Sequence, residues 1–189
     1  MTFPVQLFYR QAPISETVWA ASDNLVAQWQ DHTGSNDNGS PNPLYTFVDS
    51  DSDADYVRLI DASGHIVTSG SRTLRFNMAA PSGTPASLGQ SCEIRVTCRW
   101  FDVFGGANPD SGDPNLTLSL RQLTTTKATA SAQTITTGFV EYVYALSQSE
   151  INSVTNWSDV NVQMVFEASG IDFDEEVSIY VSRVKVVFF

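Results

Sequence analysis

Apolar and polar residues alternate with a period of two through most of the chain, and β-branched and aromatic side chains fill the apolar positions. That is the pattern of half-buried antiparallel strands. "RTLRFNM" places Leu74, Phe76 and Met78 on one face. "CEIRVTCRWFDVF" places Ile94, Val96, Cys98, Trp100 and Phe104 on one face and Glu93, Arg95, Thr97 and Arg99 on the other, and "VNVQMVF" repeats the pattern with Val160, Val162, Met164 and Phe166. "ADYVRLI" and "GFVEYVYAL" alternate less cleanly and read as strands by composition. In "NPDSGDPNLTLSLRQL" a run of turn formers from Asn108 gives way to Leu116, Leu118 and Leu120 alternating with Thr117, Ser119 and Arg121. This is a turn feeding a strand: Pro114 suits a strand's first residue, and the alternation fixes the buried side. The preceding "FGGANPDSGDPN" has Gly105 and Gly106 for tight backbone paths and only Asp110 and Asp113 as charges, a solvent or protein-contact loop more than a catalytic one.

The last strand changes phase. Val177, Ile179 and Val181 point one way, and beyond them Val184, Val186 and Phe188 alternate with Arg183 and Lys185. A slip of one residue inside a continuous strand predicts a β-bulge near Ser182. Helical text is scarce. In "SQSEINSVTNW", Ser147 followed by Glu150 matches a capping box, and Ile151 and Val154 face inward over one or two turns, which predicts a short crossover helix. Long loops are expected at 31–44, 80–91 and 105–115. Eight to ten strands with few helices predict an all-β fold, an antiparallel two-sheet sandwich of jelly-roll type with one short helix. An immunoglobulin-like sandwich is the alternative, although its Cys…Trp…Cys spacing is absent.

Composition narrows the function. The 189 residues fit one domain, and a chain of this size buries about 70% of its unfolded surface without staples. No internal repeat or linker divides residues 1–189. There is no run of 18 apolar residues and no recognisable export signal, so a soluble protein made in the cytoplasm is expected, and the sequons at Asn38, Asn115 and Asn156 carry no weight. Twenty-one acidic residues face ten basic ones, for a net charge of −11, and only two of the basic residues are Lys. Such a surface repels a phosphate backbone, so nucleic acid is not an expected partner; nor is a membrane. Cys92 and Cys98 on one extended strand lie about 20 Å apart, beyond the ~7 Å of a disulfide, which predicts free thiols and a reducing compartment.

No residue is singled out for catalysis, a metal or a cofactor. Asp49, Asp51, Asp53 and Asp55 alternate like the oxygen ligands of a calcium loop, but Ala54 stands where the sharp turn wants Gly and Ile60 where a bidentate Glu belongs, which favours an acidic turn. His32 and His65 are isolated in loop text. A Ser-His-Asp set or a glycosidase carboxylate pair is not marked by any motif. Of Trp19, Trp29, Trp100 and Trp157, Trp100 has core-facing parity, and Trp19 and Trp29 are the candidates for stacking on a sugar, with burial as the competing reading.

Three segments together resemble a group of tailed-bacteriophage structural proteins: "ADYVRL" at 54–59 with the acid before it, "DPNLTLSLRQ" at 113–122, and the stretch 134–169. The likeness is to a strand of the "LTVSLRQG" kind followed by a "YTLSxxQADAITDYTDLRLRF" kind of segment. It is carried by Leu116, Leu118, Leu120, Arg121 and Gln122, then by Tyr144, Leu146, Gln148, Ile151, Trp157, Asp159, Val160 and Val162, within residues 50–189, with a weaker echo around Trp19. A polar insertion between Trp29 and Tyr45 and a loop at 105–113 depart from it. The resemblance implies a non-enzymatic β-sandwich subunit of a virion. The first expectation is a capsid decoration (cement) protein, a homotrimer bound to the major capsid protein on the capsid surface. The alternatives are a neck, tail or baseplate component, or a carbohydrate-binding host-recognition module. At the N-terminus Val5, Leu7 and Tyr9 alternate with Gln6, Phe8 and Arg10 between Pro4 and Pro13, so residues 1–13 are expected to form an edge strand of the domain's own sheet or an arm exchanged between subunits.

Overall fold

The structure is a computed structural model that describes residues 16–26, 29–31, 43–59, 70–83, 91–102, 114–168 and 177–189. The expected N-terminal strand, His32, His65, Ile60, Phe104 and most of the three long loops lie outside the described residues. The strands are β1 (Glu16–Leu25), β2 (Trp29–Asp31), β3 (Val57–Leu59), β4 (Gly70–Met78), β5 (Cys92–Asp102), β6 (Asn115–Gln122), β7 (Thr125–Thr129), β8 (Gln133–Thr134), β9 (Val140–Ala145), β10 (Val160–Ala168) and β11 (Val177–Phe188). Among the described residues one helix, α1 (Gln148–Ser153), crosses from β9 towards β10, and 3₁₀ turns occupy Leu44–Phe47 and Trp157–Asp159. The fold is all-β and antiparallel, as the alternation predicts. The eleven strands among the described residues exceed the expected eight to ten because β2 and β8 span only three and two residues, too few to display a period; β3 is the short strand that "ADYVRLI" predicts.

Every described strand belongs to one curled sheet. Its first half has β11 at the centre, with β5 and then β9 on one side and β3 and β2 on the other; its second half runs β4, β10, β6, β7, with β8 beside the start of β6. β1 is the corner between them. Glu16 to Trp19 pair with the end of β11, then Ala20 to Leu25 pair with β4, and register shifts fall between Ala20 and Ser22 and between Asp23 and Leu25. Each shift bends the strand and increases its twist. The corner is fastened by Asp23, whose carboxylate accepts the backbone N–H groups of Leu44 (2.9 Å) and Tyr45 (2.8 Å) and so holds the first 3₁₀ turn, with Leu44 fully buried.

The inward faces are the predicted ones. Leu74, Phe76 and Met78 of β4, Ile94, Val96, Cys98 and Trp100 of β5, Leu116, Leu118 and Leu120 of β6, and Val160, Val162, Met164 and Phe166 of β10 are all buried and form one core cluster. Aromatic pairs join the halves: Trp29 of β2 packs on Phe166 of β10 at 5.3 Å between ring centroids, and Trp157 meets Phe188 of β11 edge-on at 5.1 Å. The predicted bulge is present. β11 pairs Val181 with Cys98 and then Arg183 with Thr97, leaving Ser182 as the extra residue. The predicted capping box is also present, with Ser147 as N-cap and Glu150 at the third helical position.

Candidate interaction surface

The acidic turn is held against the outer face of β11. Residues 48–55 run as bends into β3, and the Ser52 hydroxyl accepts the Ala54 N–H at 3.1 Å. Asp53 takes the Arg183 guanidinium at 2.8 Å and the Ser182 hydroxyl at 3.0 Å, and Asp51 takes Lys185 at 3.3 Å. The bulge therefore has a second use: it turns Ser182 towards the acidic turn and sets Arg183 and Lys185 on the outward face. Partial burial, helped by the Asp55 carboxylate and opposed by a backbone hydrogen bond, moves the Asp49 carboxyl above its ordinary pKa. Among the described residues no three His, Cys, Asp or Glu side chains converge on a cation-sized site.

Lys185 also reaches Glu141 of β9 (3.2 Å), Arg95 bridges Glu93 (2.7 Å) and Glu141 (3.4 Å), and Lys185 Nζ lies 5.3 Å from the centroid of the Trp19 ring. This end of the face is a ladder of neutralised charges. These side chains are only partly exposed, and after solvent screening such pairs contribute on the order of 1 kcal/mol or less each.

The other end of the face is aromatic. Arg99 and Phe101 on β5 share the outward parity of Glu93 and Arg95, and Arg99 stands opposite Tyr180 in the register. The Arg99 guanidinium lies 4.8 Å from the centroid of Phe139 and 4.9 Å from that of Tyr180. Tyr180 is stacked on Tyr56 at 4.8 Å and on Phe101 at 6.2 Å, and Tyr56 meets Phe139 at 6.3 Å. Phe101 remains 44% exposed. A cluster of Tyr and Phe around an Arg, next to a polar rim, has the composition of the core of a protein–protein interface. Its four rings lie far apart in the chain, so no local pattern announces it; the local signals are Phe101 at a polar parity in β5 and Tyr180 at the outward parity of β11. β9, at the margin of this half, is paired among the described residues with β5 alone and leaves Val143 42% exposed.

The remaining candidates resolve as packing. Trp29 is 1% exposed and donates Nε1–H to the Thr73 carbonyl at 3.2 Å, and Trp100 and Trp157 are buried, so Trp19 alone of the four keeps a partly open ring. Cys92 and Cys98 are free and buried on the same strand. Burial, aided by Glu93, pushes the Cys92 thiol up to about 12, and burial alone raises that of Cys98 further. Neither is a thiolate nucleophile at neutral pH. No described helix is long and apolar enough to cross a membrane. No protein-family model matches the chain, and no curated protein shows significant similarity to it.

Proposed function

We propose that the protein is a non-enzymatic structural subunit of a tailed-bacteriophage virion, a capsid decoration protein that acts as a homotrimer on the major capsid protein. One observation carries this reading. The residues that hold the sequence resemblance are not scattered but build one continuous unit. β6 and β10 pair from Gln122↔Val160 to Leu116↔Phe166. The Gln122 amide exchanges hydrogen bonds with Thr155, donating to its hydroxyl (3.0 Å) and accepting its N–H (3.1 Å). Tyr144 donates to Glu150 at 2.6 Å across the start of α1, and Leu146, Ile151 and Trp157 are buried. A likeness that falls on the mutually bonded residues of one unit supports the reading that the fold is shared, and the two-sheet jelly roll belongs to the same proposal. The aromatic cluster around Arg99 is the contact surface this reading assigns to neighbouring protein.

Decoration works by joining several capsomers at once, and weak single contacts become effective when rigidly linked in an oligomer. Light scattering on the purified chain and co-sedimentation with undecorated capsids test the reading. The expected result is a trimer that pellets with mature capsids. A stable monomer that ignores capsids and binds tails instead would overturn it in favour of a neck, tail or baseplate role.

A further inference from the structure

The outer face of the second half of the sheet carries planar polar groups instead of rings. Asn24 donates to Asn77 (2.6 Å), Asn77 to Ser22 (2.9 Å), and Arg75 Nε to the Gln163 carbonyl oxygen (3.1 Å) across β1, β4 and β10. Where this face meets the β6–β7 turn and the Trp157–Asp159 turn lies a cleft of about 540 Å³, within the ~300–1,000 Å³ of small-molecule sites.

Three independent features mark it. Asn161 lines the cleft and is only 1% exposed; its Nδ2 donates to the Leu123 carbonyl at 3.0 Å, which fixes the amide's orientation, and its Oδ1 is left with no partner. An unmatched buried acceptor is costly, and an ordered water or a small shift of the side chain towards the cleft gives it a donor. Trp157, 6% exposed, lines a second cleft of about 260 Å³ that shares Ser158 with the first, and its Nε1–H also has no partner. The third feature is Leu123, on the rim of the larger cleft. It is 63% exposed and sits at φ 54°, a left-handed conformation that disfavours a side chain, held there by its N–H on the Asp159 carbonyl (3.0 Å) and its carbonyl on Asn161. An exposed leucine kept in a glycine conformation offers an apolar contact beside the polar ones.

The lining of the clefts defines the ligand. The larger one presents the Arg75 guanidinium and the amides of Asn24, Asn77 and Asn161 beside the Asp159 carboxylate, with donors and acceptors side by side. Among the described residues, Arg75 and Arg121 are neighbours without an ion pair, which disfavours a cation. Asp159 and the net charge of −11 disfavour an anion. Hydroxyl groups both donate and accept, and a sugar ring presents them around an apolar C–H surface. We propose that this pair of clefts, floored by Asn161 and rimmed by Leu123, is a binding site for a neutral saccharide. The site uses none of the tryptophan rings as a stacking platform and stands apart from the aromatic face assigned to protein contact.

Saturation-transfer NMR on the full chain with free glucose, galactose, mannose and N-acetylglucosamine, and with glucuronate and inorganic phosphate as anionic probes, tests the site. The expected result is transfer to at least one neutral sugar with millimolar affinity, weakened about tenfold by Arg75→Gln and by Leu123→Gly. Leu123→Gly suits the left-handed backbone, so its melting temperature should equal or exceed that of the wild type and its loss of binding cannot come from unfolding. Neither variant should alter co-sedimentation with capsids, which keeps this site separable from the decoration reading. Absence of transfer to every neutral sugar, binding of glucuronate or phosphate in their place, or sugar binding indifferent to both variants would overturn the proposal.

Discussion

Glu150 does three jobs with one carboxylate. Oε2 accepts the Ser147 N–H (2.8 Å) and hydroxyl (2.7 Å), and Oε1 accepts the Tyr144 hydroxyl (2.6 Å), tying β9 to the start of α1. Partial burial works to raise its pKa, but the bonds from Tyr144 and Ser147 outweigh that and leave it below the ordinary value. Burial first, and then the same contact with Glu150, push the Tyr144 hydroxyl up to about 12. A carboxyl depressed in the folded state stabilises the protein above its unfolded pKa, and that stability is lost as pH falls through the folded value. Glu150→Ala should therefore cost about 1–2 kcal/mol in urea unfolding at neutral pH, and the gap from wild type should narrow as pH drops below the carboxylate range. A gap independent of pH would show that packing, not the charged bonds, holds the helix start. The two thiols make a second residue-scale test. With both pKa values raised by burial, Cys92 and Cys98 should resist Ellman's reagent in the native protein and react with two equivalents only in denaturant. Rapid native labelling would mean that the core opens locally.

At the scale of the element, the bulge in β11 shows what a one-dimensional pattern contains. Because the side-chain period is two, a single phase slip had one structural solution, and Ser182 supplies it. The residue is fully buried, with its hydroxyl on Asp53 and 3.4 Å from the Thr97 carbonyl. Ser182→Ala should cost about 1–2 kcal/mol, the loss of one hydrogen bond to a charged group. Deleting Ser182 should be far worse, since it turns either Ile179 and Val181 or Val184, Val186 and Phe188 away from the core. Each buried apolar side chain contributes about 1.5–3 kcal/mol, so the sum is comparable with the whole stability of about 5–15 kcal/mol. Circular dichroism and urea titration would separate the two outcomes, and a deletion variant that unfolds like wild type would mean that the register adapts. The strict alternations of β4, β5, β6 and β10 and the Ser147–Glu150 spacing were legible for the same local reason: the information lies within a few residues. The corner in β1 was not, because "ETVWAASDNL" loses its alternation after Ala20 and two shifts share ten residues. Pairing of β3 with β11 joins residues more than 120 positions apart, and alternation fixes faces without naming neighbours. The polar cleft was hidden likewise: Asn161 sits at an outward parity, yet contacts from the β6–β7 turn bury it.

At the scale of the molecule, the two outer faces divide the surface by chemistry. Charges on the β5–β11 face are largely matched, by Arg95 with Glu93 and Glu141, by Lys185 with Asp51 and Glu141, and by Arg183 with Asp53. Long-range attraction to a partner therefore has little to work with there, while the net charge of −11 repels like-charged copies. In the proposed function, association through this face rests on apolar and aromatic contact at Phe101, Tyr180, Tyr56 and Phe139. Two consequences separate this mechanism from charge steering. Added salt should leave capsid binding and self-association unchanged or strengthen them by screening the net repulsion. Phe101→Ser should cost folding stability only about 1–2 kcal/mol, because a ring 44% exposed has only part of its area to lose, yet it should abolish or greatly weaken association, since buried aromatic anchors dominate interface energetics. Co-sedimentation and light scattering at low and high salt, with the wild type and Phe101→Ser side by side, would decide it. Association that survives the substitution and falls steeply with salt would move the contact from the aromatic end to the charge ladder around Lys185, and the aromatic cluster would then be a surface extension of the core.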